Sequence, residues 1–472
     1  MLSRANLNRF AVHLLTTSSR AAGTAASATA KAPHVSSGSD GYKFDNARFG
    51  KNIVLVEGVR TPFTLSSTDY NNLMGYELQR DALVGLLKRV NIPKEAIDYV
   101  ICGTVIPEAS TPNIAREAVL AAGLPLNLPA NTVTQACVSA NQAISSAIGY
   151  INSGTYDVVV AGGVETMSDV PIRHSRKMRR MLLKLNKAKT TKDRLSILKE
   201  IRPDYFAPEL PSISEFFTGE QMGQSNDRLS ASFKVSRREQ DEYALRSHSL
   251  ADKAFKEGKL SDIEPTFVPG KGLITRDNGI RPSTYEKVSS LKPAFIKPHG
   301  TATAANSSFL TDGATACLIT TEERALELGL KPKAYLRQHM YVSQDPKDQL
   351  LLGPAYVTAQ LLQRANLNVK DIDVWEFHEA FAGQILANLK ALDCDFFAKT
   401  FMKRSEKVGA PSMDKFNTWG GSLSIGHPFG ATGVRLVTTA ANRLIAENGR
   451  LAFVAACAAG GIGHGIIVER YP

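Results

Sequence analysis

The chain has 472 residues, enough for about three domains of roughly 150 residues each, so a sizeable buried core is available. Hydrophobic residues make up 43% and charged residues 21%, which excludes a disordered, collagen-like or coiled-coil chain. No apolar run of about 18 residues marks a membrane-spanning helix, and the formal net charge of +11 points to nucleic acid or anionic lipid only if the cations cluster.

Residues 1–39 are set apart by composition. Arg4, Arg9, Arg20 and Lys31 stand among Ala, Ser and Thr with no Asp or Glu before Asp40, and Leu7, Phe10 and Leu14 recur at helical spacing. This is the composition of a mitochondrial transit peptide.

From about residue 50 to residue 168, strand and helix patterns alternate. Strands are predicted at 52–56, 99–102, 132–135 and 157–161, and helices at 76–90, 115–122 and 139–151. Short apolar strands separated by helices predict a parallel sheet with helices on its faces. Cys137 lies in QACVSANQA, after a strand and before a helix, where free N–H groups and the helix dipole favour thiolate over thiol. The bland alternative is a buried small hydrophobe. The other cysteines, Cys102, Cys317, Cys394 and Cys457, form no CxxC pair, which argues against a disulfide framework or zinc ribbon. QAC also opens a caspase-like signature, but Val138 and Ser139 follow it, and no histidine stands between His34 and Cys137 to serve as an upstream base.

The alternation breaks over 169–308, read as a loop domain inserted between two halves. Its segment 173–202 carries twelve Lys or Arg against Asp193 and Glu200, so the basicity is local. Met178, Met181, Leu182 and Leu185 form one helical stripe, with Arg176, Lys177, Arg179, Arg180 and Lys184 on the other faces. Such a helix either lies on an anionic membrane surface or packs its stripe on its own domain or a partner. No aromatic residue interleaves with the cations of the helix, so nucleic acid is not expected.

The second half of the chain repeats the first. LLKRVNIPKEAID at 86–98 and LLQRANLNVKDID at 361–373 share Leu, Leu, Arg, Asn, Ile and Asp at an offset of 275. A second correspondence, at offset 295, aligns Gly154 and the strand at 157–161 with Gly449 and the strand ending before Cys457; the 20 additional residues fit a Lys-rich surface stretch near 396–415. The first half is placed at 50–168, completed by about 309–333, and the second at 334–472.

His378 sits in WEFHEAFAGQ at a predicted strand end, and His427 sits in GGSLSIGHPFGATG, a Gly-lined turn before a helix. Cys457 ends a strand and enters CAAGGIGHG. The carboxyl ends of strands in open α/β folds are where ligands bind. Ile466, Ile467 and Val468 predict a strand after GGIGHG, whereas a dinucleotide-binding turn requires a helix there.

Together these motifs resemble the thiolase family, from about Ile53 to the C-terminus. The resemblance is carried, in the family's order, by GVRTPF (58–63), QACVSANQA, GGVETMSD (162–169), SRREQDEYALRSH (236–248), NSSFLTDGA (306–314), HEAFA (378–382), GGSLSIGHPFGATG and CAAGGIGHG. It implies a five-layered αβαβα fold of two similar halves and thiolytic cleavage of a 3-ketoacyl-CoA, with CoA as co-substrate, to acetyl-CoA and a shortened acyl-CoA. On this resemblance Cys137 is the nucleophile that carries the acyl thioester, His427 the base that activates it, and Cys457 the acid and base. His378 would hold the thioester oxygen of the enolate, backbone N–H groups of Cys137 and Ala459 the other oxyanion, and Ser308 would contact CoA. No metal and no permanently bound cofactor is implied.

Many thiolases have Asn where His378 stands. That substitution and CAAGG point to the trifunctional-type branch, whose members prefer long acyl chains and assemble with an alpha subunit carrying hydratase and dehydrogenase sites. A thiolase-type dimer, a place on the matrix side of mitochondria and a peripheral contact of 173–202 with the anionic inner membrane are implied with it. The alternatives are an acetoacetyl-CoA-type or biosynthetic condensing enzyme, and a non-catalytic lipid-binding subunit. Cys457 argues against the condensing enzyme, and the presence of all four reactive residues argues against the lipid-binding subunit.

Overall fold

The computed structural model describes residues 50–211 and 214–472; the transit-peptide expectation for 1–39 lies outside them. The first half runs β1 (Ile53–Arg60), β2 (Thr64–Leu65), α1 (Gly75–Val90), β3 (Tyr99–Gly103), α2 (Ile114–Ala121), β4 (Ala130–Val133), α3 (Ser139–Asn152) and β5 (Val158–Glu165). Four helices follow, α4 (Arg176–Lys187), α5 (Thr191–Leu198), α6 (Met222–Ser232) and α7 (Arg237–Lys256), then a ribbon of β6 (Thr266–Val268) and β7 (Gly272–Ile274), and α8 (Tyr285–Ser289). The chain continues through β8 (Thr311–Thr321), α9 (Glu322–Glu327), β9 (Ala334–Ser343), α10 (Gly353–Ala365), β10 (Val374–Phe377), α11 (Ala382–Leu392) and α12 (Asp395–Thr400). It ends with α13 (Thr432–Ala446), β11 (Leu451–Ala458) and β12 (Ile462–Arg470).

The main strands lie in the order β10-β11-β12-β9-β1-β8-β5-β3-β4. β3 is parallel to β4 and β5, and β10 is parallel to β11, but β1, β8, β9 and β12 pair antiparallel. The sheet is therefore mixed, which corrects the parallel sheet predicted from strand and helix alternation. The return from β11 to β12 shows why: the short turn 459–461 leaves no room for the crossover helix that a parallel pair needs. The strand predicted at 132–135 also forms earlier, at Ala130–Val133, because Ala136 takes a left-handed backbone (φ 45) and the chain turns there.

The internal repeat has a structural reason at each shared position. Asn91 and Asn366 adopt the left-handed conformation that ends α1 and α10, a role open to few residues besides Gly. Asp98 accepts from the backbone N–H groups of Asp157 and Val158, and Asp373 accepts from those of Arg450 and Leu451, so each carboxylate ties two neighbouring strands. The strands β1, β3, β5 and β8 of one half correspond to β9, β10, β11 and β12 of the other.

Helices α1 and α2 cover the outer face of the first half and α10 that of the second, while α3 and α13 lie between the halves. Ala140, Ala143, Ile144, Ala147, Ile148 and Ile151 of α3 recur at three- and four-residue spacing and are all buried. From Thr432 to Leu444, α13 is buried on every side, as a helix sandwiched between two sets of strands must be. A side chain at Gly433 would run into Asn141, so the first turns of α13 and α3 approach closely. The segments ahead of those two helix starts carry His427 and Cys137.

Candidate active site

Cys137 sits on the turn between β4 and α3. Ser139 knits that turn by accepting from the Gln135 N–H (2.8 Å) and donating to the Ala136 carbonyl (2.7 Å). The side chain is half-buried. Burial pushes its thiol up to about 12; the backbone N–H groups of Ala459 and of Cys137 itself act in the opposite direction, and the charge of Glu165 adds to the rise. Burial thus favours a resting thiol, which agrees with the expectation of a base that removes the proton. A base must remove the proton. Cys457, on β11 opposite Gly463, is buried, and its thiol is pushed up by burial and by the charge of Cys137, which places the two sulfurs within electrostatic reach of each other.

His427 supplies a suitable lone pair. Its Nδ1 lies 2.6 Å from Thr432 Oγ1, and that hydroxyl donates its single proton to the Pro428 carbonyl (2.9 Å). The hydroxyl can then only accept from His427, so the ring proton sits on Nδ1 and Nε2 is left bare, buried and without a protein partner. Burial, then His378, then Arg435 hold the His427 pKa well below 6.5, so the ring is neutral at physiological pH. The backbone N–H of His427 donates to Thr311 Oγ1 (2.9 Å), fixing the turn to β8.

His378 follows β10, with its N–H bonded to the Ala455 carbonyl (2.8 Å), and its ring centroid is 4.0 Å from that of His427. Its Nδ1 lies 3.2 Å from Ser422 Oγ, and burial, with Arg435 second, lowers its pKa to about 3. Ser308 donates its backbone N–H to the Ala380 carbonyl (2.9 Å), which joins the 306–314 motif to HEAFA. Cys137 follows β4, His378 follows β10 and Cys457 lies near the end of β11; the Ala459 N–H and Cys457 act on the Cys137 thiol, and the two histidine rings face each other.

Several residues in this constellation carry no signal when read singly. Glu165 accepts from the N–H groups of Val105 (3.0 Å), Ile106 (2.9 Å) and Gly430 (2.9 Å), so one buried carboxylate joins the His427 turn to the half that holds Cys137. Burial raises its pKa to about 7. Glu215 accepts from the Gly460 N–H (2.6 Å) and braces the CAAGG turn. Glu165, Ser422 and Thr432 lie within or beside the quoted motifs, which was the available signal; Glu215 has none.

A cavity of about 320 Å³ is lined by His248, Arg281, Ser283, Lys287, Leu423 and Phe309, the chain neighbour of Ser308. Among the described residues no cluster of His, Cys, Asp or Glu is arranged to hold a metal, and no helix is long and apolar enough to cross a membrane.

The basic segment folds as α4 and α5. Met178 and Met181 are buried, but Leu182 is exposed, so the predicted four-residue stripe narrows to its first two members, with Leu185 at the margin. Lys177 pairs with Asp204 (2.5 Å), Arg179 with Glu209 (2.5 Å) and Lys184 with Glu200 (3.8 Å). Glu200 and two acids just beyond the segment, Asp204 and Glu209, thus offset three of the five cations singled out above. Arg176 and Arg180 are exposed, as are Leu182, Leu183, Leu195 and Leu198.

Comparison with known proteins agrees with the geometry. The thiolase N-terminal domain model matches residues 53–323 and the thiolase C-terminal domain model matches 330–470. The chain is 64% identical to the mitochondrial trifunctional enzyme subunit beta of Bos taurus, covering 89% of each chain. It is 58% identical to a probable 3-ketoacyl-CoA thiolase of Caenorhabditis elegans, over 89% of this chain and 94% of that one. The crystal structure of human mitochondrial 3-ketoacyl-CoA thiolase in complex with CoA superposes with a TM-score of 0.76 at 27% identity, covering 89% of this chain and 98% of that one. With both domain models matched across nearly all the described residues, the chain belongs to the thiolase family.

Proposed function

We propose that this protein is a mitochondrial 3-ketoacyl-CoA thiolase of fatty-acid β-oxidation that works on long acyl chains beside an alpha subunit. The observation that carries the chemistry is the bare Nε2 of His427, on a turn that the Glu165 carboxylate ties to the half holding a protonated Cys137 thiol. His427 takes the Cys137 proton, and the thiolate attacks the 3-keto carbon. The N–H groups of Cys137 and Ala459 hold the resulting oxyanion. The bond between C2 and C3 breaks, Cys457 protonates the acetyl-CoA enolate that leaves, and His378 holds the enolate's thioester oxygen. CoA, deprotonated by Cys457, then releases the acyl group from Cys137.

The cationic cavity beside Ser308 suits the phosphates of CoA, with Arg281 and Lys287 as their partners. On this reading the halves lie at 50–168 with 309–333 and at 334–472, with 169–308 inserted, and two copies form the thiolase-type dimer. Thiolysis of matched short- and long-chain 3-ketoacyl-CoA substrates tests the assignment: a strong long-chain preference supports it, and a short-chain preference moves the protein to another thiolase branch. In the same assay Arg281→Ala raises the KM for CoA about tenfold with little change in kcat, the loss of one charge-assisted contact; an unchanged KM removes Arg281 from the CoA site.

The exposed leucines and the cations Arg176 and Arg180 of α4 and α5 suit a peripheral contact with anionic inner membrane on the matrix side. Replacing Leu182 and Leu183 by Asp abolishes flotation with cardiolipin vesicles and leaves catalysis intact on this account; undiminished flotation rules the helix out as the contact.

A further inference from the structure

The hydroxyl that meets His378 is itself held by a buried cation. Ser422 Oγ lies 3.2 Å from His378 Nδ1 and accepts from Arg435 Nη2 at 3.0 Å. A guanidinium only donates and a hydroxyl has a single proton. Arg435 fills one lone pair of the Ser422 oxygen, and among the described residues His378 Nδ1 is the only acceptor bonded to its hydroxyl, so Ser422 spends its proton there and the ring proton of His378 sits on Nε2, a buried atom with no protein partner. His378 and His427 then present opposite faces to the site, one an N–H and the other a lone pair.

Arg435 is poorly compensated for such a buried charge. It is 1% exposed, its nearest carboxylate, Glu376, is 3.8 Å away and already bound to Arg443 at 2.7 Å, and its Nε and Nη1 have no hydrogen-bond partner. Burial of a cation on those terms destabilises a fold, so its presence beside two reactive histidines calls for a functional reason. Control of a tautomer is one. An Asn at this position always carries an N–H donor, whereas a neutral His offers an N–H or a lone pair at Nε2, and the lone pair would repel a developing enolate oxygen.

We propose that Arg435 and Ser422 are positioning residues that fix His378 as a neutral Nε2–H donor to the thioester oxygen of the departing enolate. This rests on the role given to His378 above. Burial and the Arg435 charge also keep that ring from protonating.

The test compares Ser422→Ala in two backgrounds, the native chain and His378→Asn. In the native background Ser422→Ala lowers kcat for thiolysis by about 10- to 100-fold, the scale of a weakened oxyanion donor, with KM within about twofold. The rate of Cys137 alkylation by iodoacetamide, which depends on His427, stays the same. In the His378→Asn background the further loss is under about twofold, because the amide needs no tautomer control. Arg435→Met reproduces the loss in the native background and Arg435→Lys, which keeps a charged donor, restores part of it. A native kcat in Ser422→Ala, or equal losses in both backgrounds, overturns the proposal, and a native kcat in Arg435→Met removes the arginine from it. Failure of the underlying role reads differently: His378→Ala would then keep full kcat.

Discussion

Cys137→Ala is expected to lower kcat for thiolysis by about 10⁴-fold or more, the scale seen when a covalent nucleophile is removed. Steady-state loss of the ketoacyl substrate measures it. The second cysteine cannot take over. Cys457 is 1% exposed and pinned in β11 opposite Gly463, so its sulfur lacks the freedom to attack a carbon placed for Cys137. Its thiol is also driven away from ionisation, by burial and by the neighbouring sulfur. Because the substitution shortens a side chain on a turn held by Ser139 and the backbone, the fold should persist, which circular dichroism of the variant checks. Activity within about tenfold of native would remove Cys137 from its role.

His427→Ala is expected to cost about 10³- to 10⁴-fold in kcat/KM, at the upper end of what a positioned base contributes. Burial pushes the Cys137 thiol up, so it rests protonated at pH 7 and its proton must be taken as it attacks. The bare Nε2 of His427 is the lone pair available to accept that proton as the sulfur attacks. The pH dependence follows with a definite sign. Burial lowers the pKa of both His427 and His378, so both rings remain neutral as pH falls through 6.5. Measured in a Glu165→Gln variant, which removes the buried carboxyl raised to about 7, kcat/KM should stay nearly constant from pH 8 to about 6, where an exposed histidine base of ordinary pKa would already have lost about three quarters of its activity. A midpoint near 6.5 would contradict the buried, neutral base.

Much of this fold is readable from residues whose conformational demands are specific. The repeated Asn91 and Asn366 end helices in a left-handed turn, and Asp98 and Asp373 cap neighbouring strands, so one internal alignment locates the halves. Strand direction is not encoded that way. Antiparallel pairing of β1, β8, β9 and β12 follows from how distant segments meet, and an apolar run reads alike in either direction.

The reactive residues were legible as a set because their motifs are specific together. Their protonation states were not. Helix position alone favoured a Cys137 thiolate, whereas burial, which no local pattern encodes, favours the thiol. The donor or acceptor state of each histidine is set by Thr432, Ser422 and Arg435, whose importance appears only when their hydrogen bonds are followed. Glu215 lies more than 200 positions from Gly460, a separation across which no local pattern speaks.

The central claim is an acyl group carried on Cys137. The most direct test mixes the protein with a 3-ketoacyl-CoA in the absence of free CoA, quenches in acid and maps acylated peptides by mass spectrometry. The account predicts an acyl group two carbons shorter than the substrate on the peptide containing Cys137, one equivalent of acetyl-CoA released, and discharge of the adduct when CoA is added. An acyl group on Cys457, or acetyl-CoA formed with no acylated cysteine, would contradict it.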